Sequence, residues 1–121
     1  MTVGIATSQA NSLLDTLMNS TFIQLHTGDP GAAGTSNVSS VTTRPAATMG
    51  SASGGTKALS SPATWTNWAG SAETITHVSL WTASTAGTFK QSYALTTSKA
   101  MASGDTLSLN SLSTSLAPLA A

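Results

Sequence analysis

One stretch, residues 73–82, constrains the fold more than any other part of the sequence. It reads ETITHVSLWT, is rich in β-branched and aromatic residues, and has turn-forming sequence on both sides, which is typical of a β-strand. Apolar residues occur at both its odd and its even positions, so neither face of the strand is fully polar. We therefore expect a central strand covered on both faces rather than an exposed edge. Trp81, its largest side chain, is expected to anchor the core.

Further segments predict short strands, because they carry alternating or β-branched residues bounded by turn sequence. These segments are residues 21–26, 44–49, 57–59, 62–68, 89–95 and 106–112. We expect residues 57–68 to form one strand broken near Pro62, and residues 89–95 and 106–109 to lie beside the central strand. The apolar residues after Leu109 change phase, which predicts a bulge near residues 110–111.

Apolar residues near the N-terminus recur at helical spacing and predict one helix over residues 8–18. They are Ala6, Ala10, Leu13, Leu14, Leu17 and Met18. Thr7 or Ser8 can cap the start of this helix, and Asn19 can adopt the left-handed conformation that often ends one. A helix of this length is marginal in water on its own. Its apolar stripe is therefore expected to pack either on the chain's own sheet or on a neighbouring subunit.

The arrangement of these segments predicts a single domain over residues 1–121, with an arm and helix in residues 1–20. Residues 21–121 are expected to form a mainly β fold, an antiparallel β-sandwich that is jelly-roll-like or Ig-like. Residues 31–43 are small and polar. They predict either an ordered loop across the surface or an arm that contacts another subunit.

The composition excludes several classes of partner. Charged residues make up 7% of the chain and the formal net charge is zero, so there is no basic surface for nucleic acid. We find neither a signal peptide nor an apolar run long enough to span a membrane. There is no cysteine, which excludes disulfides and suits folding in a reducing cytoplasm. The near absence of charge favours a protein that is packed against neighbours.

The candidate catalytic and metal-binding residues form no recognisable motif. Serine is abundant, but no nucleophile-elbow pattern accompanies it. His26 and Asp29 offer only two ligands, which do not make a metal site. His26 is expected to hydrogen-bond the adjacent turn, and His77 to be a core or interface residue. We therefore expect no catalytic residue, no metal and no cofactor, and a protein that is not an enzyme.

Two further features could bind ligands, and a structural role explains each of them better. Residues 50–57 read GSASGGTK, but a phosphate-binding loop requires lysine before threonine and a following helix, so we interpret them as a glycine turn. Trp65, Trp68, Trp81 and Tyr93 can form a sugar-binding platform or pack in the core, and core packing is the ordinary explanation. Because Trp65 and Trp68 cannot share one strand face, we expect one in the core and the other at a rim or interface.

Four motifs stand in a characteristic order along the chain: residues 25–31, 43–46, 75–81 and 103–107. Together they resemble those of a family of small virion proteins of tailed bacteriophages, often labelled tail-fibre or minor structural proteins. The resemblance covers roughly residues 21–116. It implies a virion component without catalytic residues, assembled in the host bacterial cytoplasm.

Within that family we expect a capsid (head) decoration subunit, because the chain is short and lacks the heptads or repeats of an extended fibre. The alternative is a minor tail or tail-fibre-associated protein that binds host glycan. The expected partners are further copies of the chain, as a homo-oligomer and most plausibly a trimer, and other virion proteins such as the major capsid protein. The expected interface residues are Leu13, Leu17, Trp68, Leu116 and Leu119.

Overall fold

The computed structural model describes residues 3–116, and this part of the chain contains one helix and eight strands. The helix α1 is Thr7–Leu17. The strands are β1 Thr21–His26, β2 Ala46–Ala47, β3 Thr56–Ala58, β4 Ala63–Trp65, β5 Glu73–Trp81, β6 Phe89–Met101, β7 Leu107–Leu109 and β8 Ser113–Ser115. The predicted class, a mainly antiparallel β fold with one N-terminal helix, is confirmed.

The chain divides into two compact units, each built from separate segments. Unit 1 comprises Met1–Asn19, Thr48–Pro62 and Leu109–Ala121, and unit 2 comprises Ser20–Ala47 and Ala63–Ser108. The helix therefore groups with β3 and β8, whereas the sequence suggested a division near residue 20. The expectation of a single domain stays a prediction.

Unit 2 contains a four-stranded sheet in the order β2-β1-β5-β6. The predicted central position of β5 is confirmed, since it pairs with β1 on one side and with β6 on the other. Ile23 lies opposite Leu80 in one pairing, and Tyr93 lies opposite Val78 in the other. The expectation that residues 106–109 also lie beside β5 is wrong, because β7 pairs with β4 in a separate two-stranded sheet.

The second half of β5 supplies much of the core of unit 2. Val78, Ser79, Leu80 and Trp81 are consecutive and all buried, so this half of the strand is covered on both faces. Trp81 is 7% exposed, and its ring packs on that of Phe89 with 5.6 Å between the ring centroids. Burying one large apolar side chain contributes roughly 1.5–3 kcal/mol. Trp81 thus lies where a core anchor was expected.

β6 is longer than the predicted residues 89–95, because its polar second half pairs with the start of β5. Glu73 lies opposite Met101 in this pairing. The register shifts between Ile75 and His77, and again between Leu80 and Trp81. Such irregularities bend and twist a strand pair locally. The sequence did not predict them.

The long segment between β1 and β2 is an ordered loop, the first of the two predicted alternatives. The Thr27 N–H donates to Asn37 O at 2.8 Å, and the Ser39 N–H donates to Leu25 O at 3.0 Å. Glu73 holds the loop from β5, since one of its carboxylate oxygens accepts hydrogen bonds from the Ser39 hydroxyl and from the Ser40 N–H. These bonds fix the path of the chain towards β2.

The ends of α1 differ from those expected. The helix begins at Thr7, and its N-cap residue is Ala6, whose carbonyl oxygen accepts from the N–H groups of Gln9 and Ala10 and whose side chain provides no cap. The helix ends at Leu17, followed by Met18 as its C-cap residue. The left-handed conformation expected at Asn19 occurs at Ser20, where φ is 52°.

In unit 1, α1 is joined by hydrogen bonds to the glycine turn and to β3. Asn11 and Asp15 are one helical turn apart and share a face of the helix. The Gly55 N–H donates to Asn11 Oδ1 at 2.9 Å, and Lys57 Nζ lies 2.7 Å from Asp15 Oδ1. The helix face that carries Asn11 and Asp15 therefore packs within its own chain, which was the first of the two alternatives.

Two predicted strands differ from those in the structure. The strand predicted over residues 57–68 is interrupted around Pro62 as expected, but its two parts belong to different sheets, since β3 pairs with β8 and β4 pairs with β7. Residues 106–112 end as β7 at Leu109, and the chain then enters β8 without the predicted bulge at residues 110–111. In both cases the sequence showed the β character of the residues but not the change of partner.

Candidate functional site

An open cleft of about 300 Å³ lies on unit 2 beside the connection between β5 and β6. We call it the Arg44 cleft. It is lined by Gln24, Thr42, Arg44, Ser84, Thr85 and Ala86. Gln24 comes from β1, Thr42 and Arg44 come from the segment before β2, and the other three residues come from the β5–β6 connection. The antiparallel pairing of β1 with β5 brings these segments together.

Arg44 joins all three segments through its guanidinium group. Nη1 donates to Ala86 O at 2.7 Å and to Ala83 O at 3.2 Å. Nη2 donates to Gln24 Oε1 at 3.1 Å. Ala86 has a positive φ of 55°, which is uncommon for a residue other than glycine, so Arg44 supports a strained part of the connection.

The guanidinium also lies over the indole of Trp81, with 4.2 Å between Arg44 Cζ and the ring centroid. Arginine favours this stacked arrangement because the face of an aromatic ring carries partial negative charge. Partial burial lowers the pKa of Arg44 from its ordinary value. An arginine remains protonated in proteins even so, and Arg44 is therefore a fixed positive charge in the cleft.

Behind Arg44, Trp81 leads into a buried chain of hydrogen bonds. Trp81 Nε1 donates to Ser79 Oγ at 2.7 Å, and Ser79 Oγ lies 2.7 Å from His26 Nε2. His26 Nδ1 lies 2.9 Å from the carbonyl oxygen of Ser36, which can only accept. Nδ1 must therefore carry the proton of the neutral ring, and Nε2 accepts a hydrogen bond from the Ser79 hydroxyl. His26 is thereby fixed as one neutral tautomer.

The Ser79–His26 pair resembles a nucleophile and its base, but the surroundings assign it a structural role. Both residues are 0% exposed, so no substrate can reach the hydroxyl. Burial lowers the pKa of His26 and outweighs the opposite effect of its hydrogen bond to Ser36. The pair packs β1 against β5. We expected His26 to hydrogen-bond the adjacent turn, but the partner of its Nδ1 is Ser36, ten residues further along in the loop that follows that turn.

The predicted interface residues do not form one surface within the described chain. Leu13 and Leu17 are 53% and 40% exposed on one side of α1. Trp68 is 2% exposed, and Leu116 is half-buried at the end of the described residues. Leu119 lies outside the described residues. The interface assignment as a whole stays a prediction.

The expectation that one of Trp65 and Trp68 lies at a rim is wrong, because both are buried. Trp65 Nε1 donates to Thr43 O at 3.0 Å, and Trp68 Nε1 donates to Ser71 O at 3.0 Å. The backbone between the two tryptophans is irregular and does not follow the alternation of a strand, so both rings can face inward. Their burial favours core packing over the sugar platform.

The other sequence features have structural explanations. The glycine turn of residues 50–57 is held by α1, and Lys57 is engaged with Asp15. Residues 3–116 hold no group of three or more His, Cys, Asp or Glu side chains placed to bind a metal ion. In the described part of the chain, no helix is both long and apolar enough to cross a membrane.

Sequence reasoning missed the Arg44 cleft. The available signal was Arg44 itself, the only arginine in the chain and one of four basic residues in all. Its partners are two backbone carbonyl groups and a side chain that lie 20 to 42 positions away in sequence. No local pattern marks such contacts.

Comparison with known proteins yields one family. No curated protein matches the chain. A family model described as podophage GP4 fiber I protein gp80 matches residues 4–117, which is nearly the whole chain and includes segments of both units. The chain therefore belongs to the podophage GP4 fiber I protein gp80 family and is a structural protein of a tailed-phage virion.

Proposed function

We propose that the protein is a subunit of the fibre apparatus of a tailed phage. The observation that carries this proposal is the match of residues 4–117 to a family described as a fiber protein. The proposed role consists of binding other virion proteins and requires no catalysis. The complete burial of Ser79 and His26 supports a non-catalytic role.

The element lengths differ from those of an extended fibre. The helix has 11 residues and the longest strand has 13 within the described range. Extended fibres need long coiled coils or stacked repeats, and these elements provide neither. The subunit would therefore attach, cap or connect a fibre made largely of other chains.

We also infer that the protein forms a homo-oligomer, most plausibly a trimer. Leu13 and Leu17 support this inference, because they expose two large apolar side chains one turn apart on α1. A closed oligomer would cover them and multiply the attachments of each subunit to its neighbours. The other partners would be virion proteins at the attachment site.

Capsid decoration is the second candidate function, with the major capsid protein as partner. The low charge of the chain and its short helix and strands favour it. Copy number separates the two functions. Quantitative mass spectrometry of purified particles is expected to give far fewer copies than the major capsid protein, and gold-labelled antibody is expected to mark the tail. A copy number close to that of the capsid protein, with label over the head, would overturn the fibre assignment.

A further inference from the structure

Arg44 is a partly buried cation without an anionic partner in the described chain. No carboxylate among residues 3–116 forms an ion pair with it. Its partners are two carbonyl oxygens, an amide oxygen and the face of an indole. These groups solvate the guanidinium without neutralising its charge. The Arg44 cleft therefore keeps a net positive charge.

The guanidinium also keeps hydrogen-bonding capacity. It has more N–H donors than its three bonds to Ala83, Ala86 and Gln24 use. Gln24 accepts through Oε1, and the side-chain nitrogen of the same amide is a donor. A carboxylate is planar and can accept from two parallel N–H groups, which matches the geometry of such donors.

Arg44 is held in place before any ligand arrives. Trp81 packs on one face of the guanidinium. Carbonyl oxygens of the β5–β6 connection accept hydrogen bonds from the Nη1 end of the same group. An arginine that is already ordered loses little side-chain entropy on binding. This pre-organisation distinguishes Arg44 from a flexible surface cation.

The rest of the lining is small, polar and uncharged. The side chains of Thr42, Ser84 and Thr85 are exposed at the cleft and present hydroxyl groups that both donate and accept. The volume of about 300 Å³ is at the lower end of the range for small-molecule sites. A ligand with one ring and several hydroxyl groups fits both the size and the chemistry.

We propose that the Arg44 cleft binds an acidic monosaccharide unit, with Arg44 holding the sugar's carboxylate and Thr42, Ser84 and Thr85 contacting its hydroxyl groups. Because Arg44 is the single cation that lines the cleft, it matches a ligand with a single carboxylate. A nucleic acid or another polyanion would need several basic residues, and the chain has four in all with a net charge of zero. A neutral sugar has no anionic group that could form an ion pair with Arg44. This proposal is independent of whether the subunit lies on the head or the tail.

The test is an NMR titration of the full-length protein with three probes: glucuronate, glucose and acetate. Glucuronate has both the carboxylate and the hydroxylated ring, and each of the other probes has only one of these features. We expect glucuronate to shift the amide signals of residues 84–86 and the Arg44 Nε–H signal. Its Kd should be on the order of 1 mM, because the cleft is open and a single ion pair dominates. Acetate and glucose should bind at least tenfold more weakly.

Thr85→Glu is the main variant. It places a carboxylate beside Ala86, whose carbonyl oxygen is 2.7 Å from Arg44 Nη1, so the new side chain should occupy the site and weaken glucuronate binding at least tenfold. Thr85→Gln has the same shape without the charge and should bind nearly as wild type. Lys99→Gln makes the same change in net charge as Thr85→Glu at an exposed position on β6 and should also bind normally.

Arg44→Lys provides a second test that keeps the positive charge but removes the planar fork, and it should lower affinity at least tenfold. An unchanged far-ultraviolet circular dichroism spectrum would show that each variant is folded. Equal binding of glucuronate and acetate, or of glucuronate and glucose, would overturn the proposal. So would undiminished binding by folded Thr85→Glu, or tighter binding of a glutamate-rich peptide than of glucuronate.

Discussion

Trp81 contacts three kinds of group at once. Its ring packs on Phe89 and lies under Arg44, and its Nε1 donates to Ser79 Oγ. The same side chain therefore contributes to the core, the cleft and the buried hydrogen-bond chain. A substitution at this residue tests the core and the cleft together, whereas the variants of Thr85 test the cleft alone.

We expect Trp81→Ala to lower the free energy of unfolding by about 3–5 kcal/mol, because a large buried side chain leaves a cavity. Urea denaturation followed by circular dichroism measures this loss. Trp81→Phe is the control, since it retains a ring and loses the Nε1 donor, and should cost about 1–2 kcal/mol. A loss below about 1 kcal/mol for Trp81→Ala would show that the core does not depend on this residue.

His26 predicts how stability changes with pH. Burial lowers its pKa in the folded protein below the ordinary value of 6.5, which the unfolded chain retains. The unfolded state therefore binds a proton at a higher pH than the folded state does. Stability should be fully present above about pH 6.5 and should fall as the pH is lowered through the range between the two pKa values.

The measurement is the urea midpoint between about pH 7 and about pH 5, where few carboxyl groups titrate. The variant His26→Gln should be less stable at neutral pH but should show a shallower dependence on pH. Ser79→Ala, which removes the hydroxyl donor to Nε2, should also be destabilised while it keeps the histidine. An equal slope in wild type and His26→Gln would assign the pH dependence to another group.

At the scale of elements, α1 is attached to unit 1 by polar side chains as well as by buried Ala10 and Leu14. Asp15 accepts from Lys57 Nζ and from the Ala52 N–H, and both bonds lower its pKa. The helix thus orders a glycine-rich turn that has few side chains of its own. This arrangement leads to a prediction at Asn11.

We expect Asn11→Ala to destabilise the protein by about 1 kcal/mol, because the Gly55 N–H loses its acceptor. The better helix propensity of alanine offsets part of this loss. Ser12→Ala is the matched control, since Ser12 is exposed on the same helix. This substitution raises helix propensity in the same way and does not remove the acceptor of the Gly55 N–H. The measurement is thermal and urea denaturation of both variants. Equal stability of the two would argue against the role of Asn11.

The elements that could be predicted from the sequence are those with local signals. β5 and β1 have β-branched and apolar residues in a continuous run, so their positions follow from pattern alone. β3 and β8 are three-residue strands of mostly small or polar residues, and their pairing joins Thr56 to Ser115. Such a pairing depends on distant residues and has no periodic signature. The position of Arg44 was unpredictable for the same reason.

For the whole molecule, the exposed leucines of α1 provide the test of self-association. We expect Leu13→Ser with Leu17→Ser to shift the protein from oligomer to monomer, because the variant removes apolar surface that association would bury. Sedimentation velocity measures the change. Val38→Ser is the control, since Val38 is 38% exposed and lies in the other unit. A wild-type monomer, or an oligomer unaffected by the double substitution, would contradict the proposed interface.

The pairing of β3 with β8 has a consequence for the order of folding. Thr56 and Ser115, which are partners in this pairing, are 59 positions apart in sequence, whereas β5 and β6 are joined by a short connection. Closing the longer loop costs more conformational entropy, so β3 is expected to pair with β8 later than β5 pairs with β6. Until then the backbone of β3 is unpaired, and the shortness of that strand limits its capacity to recruit other chains.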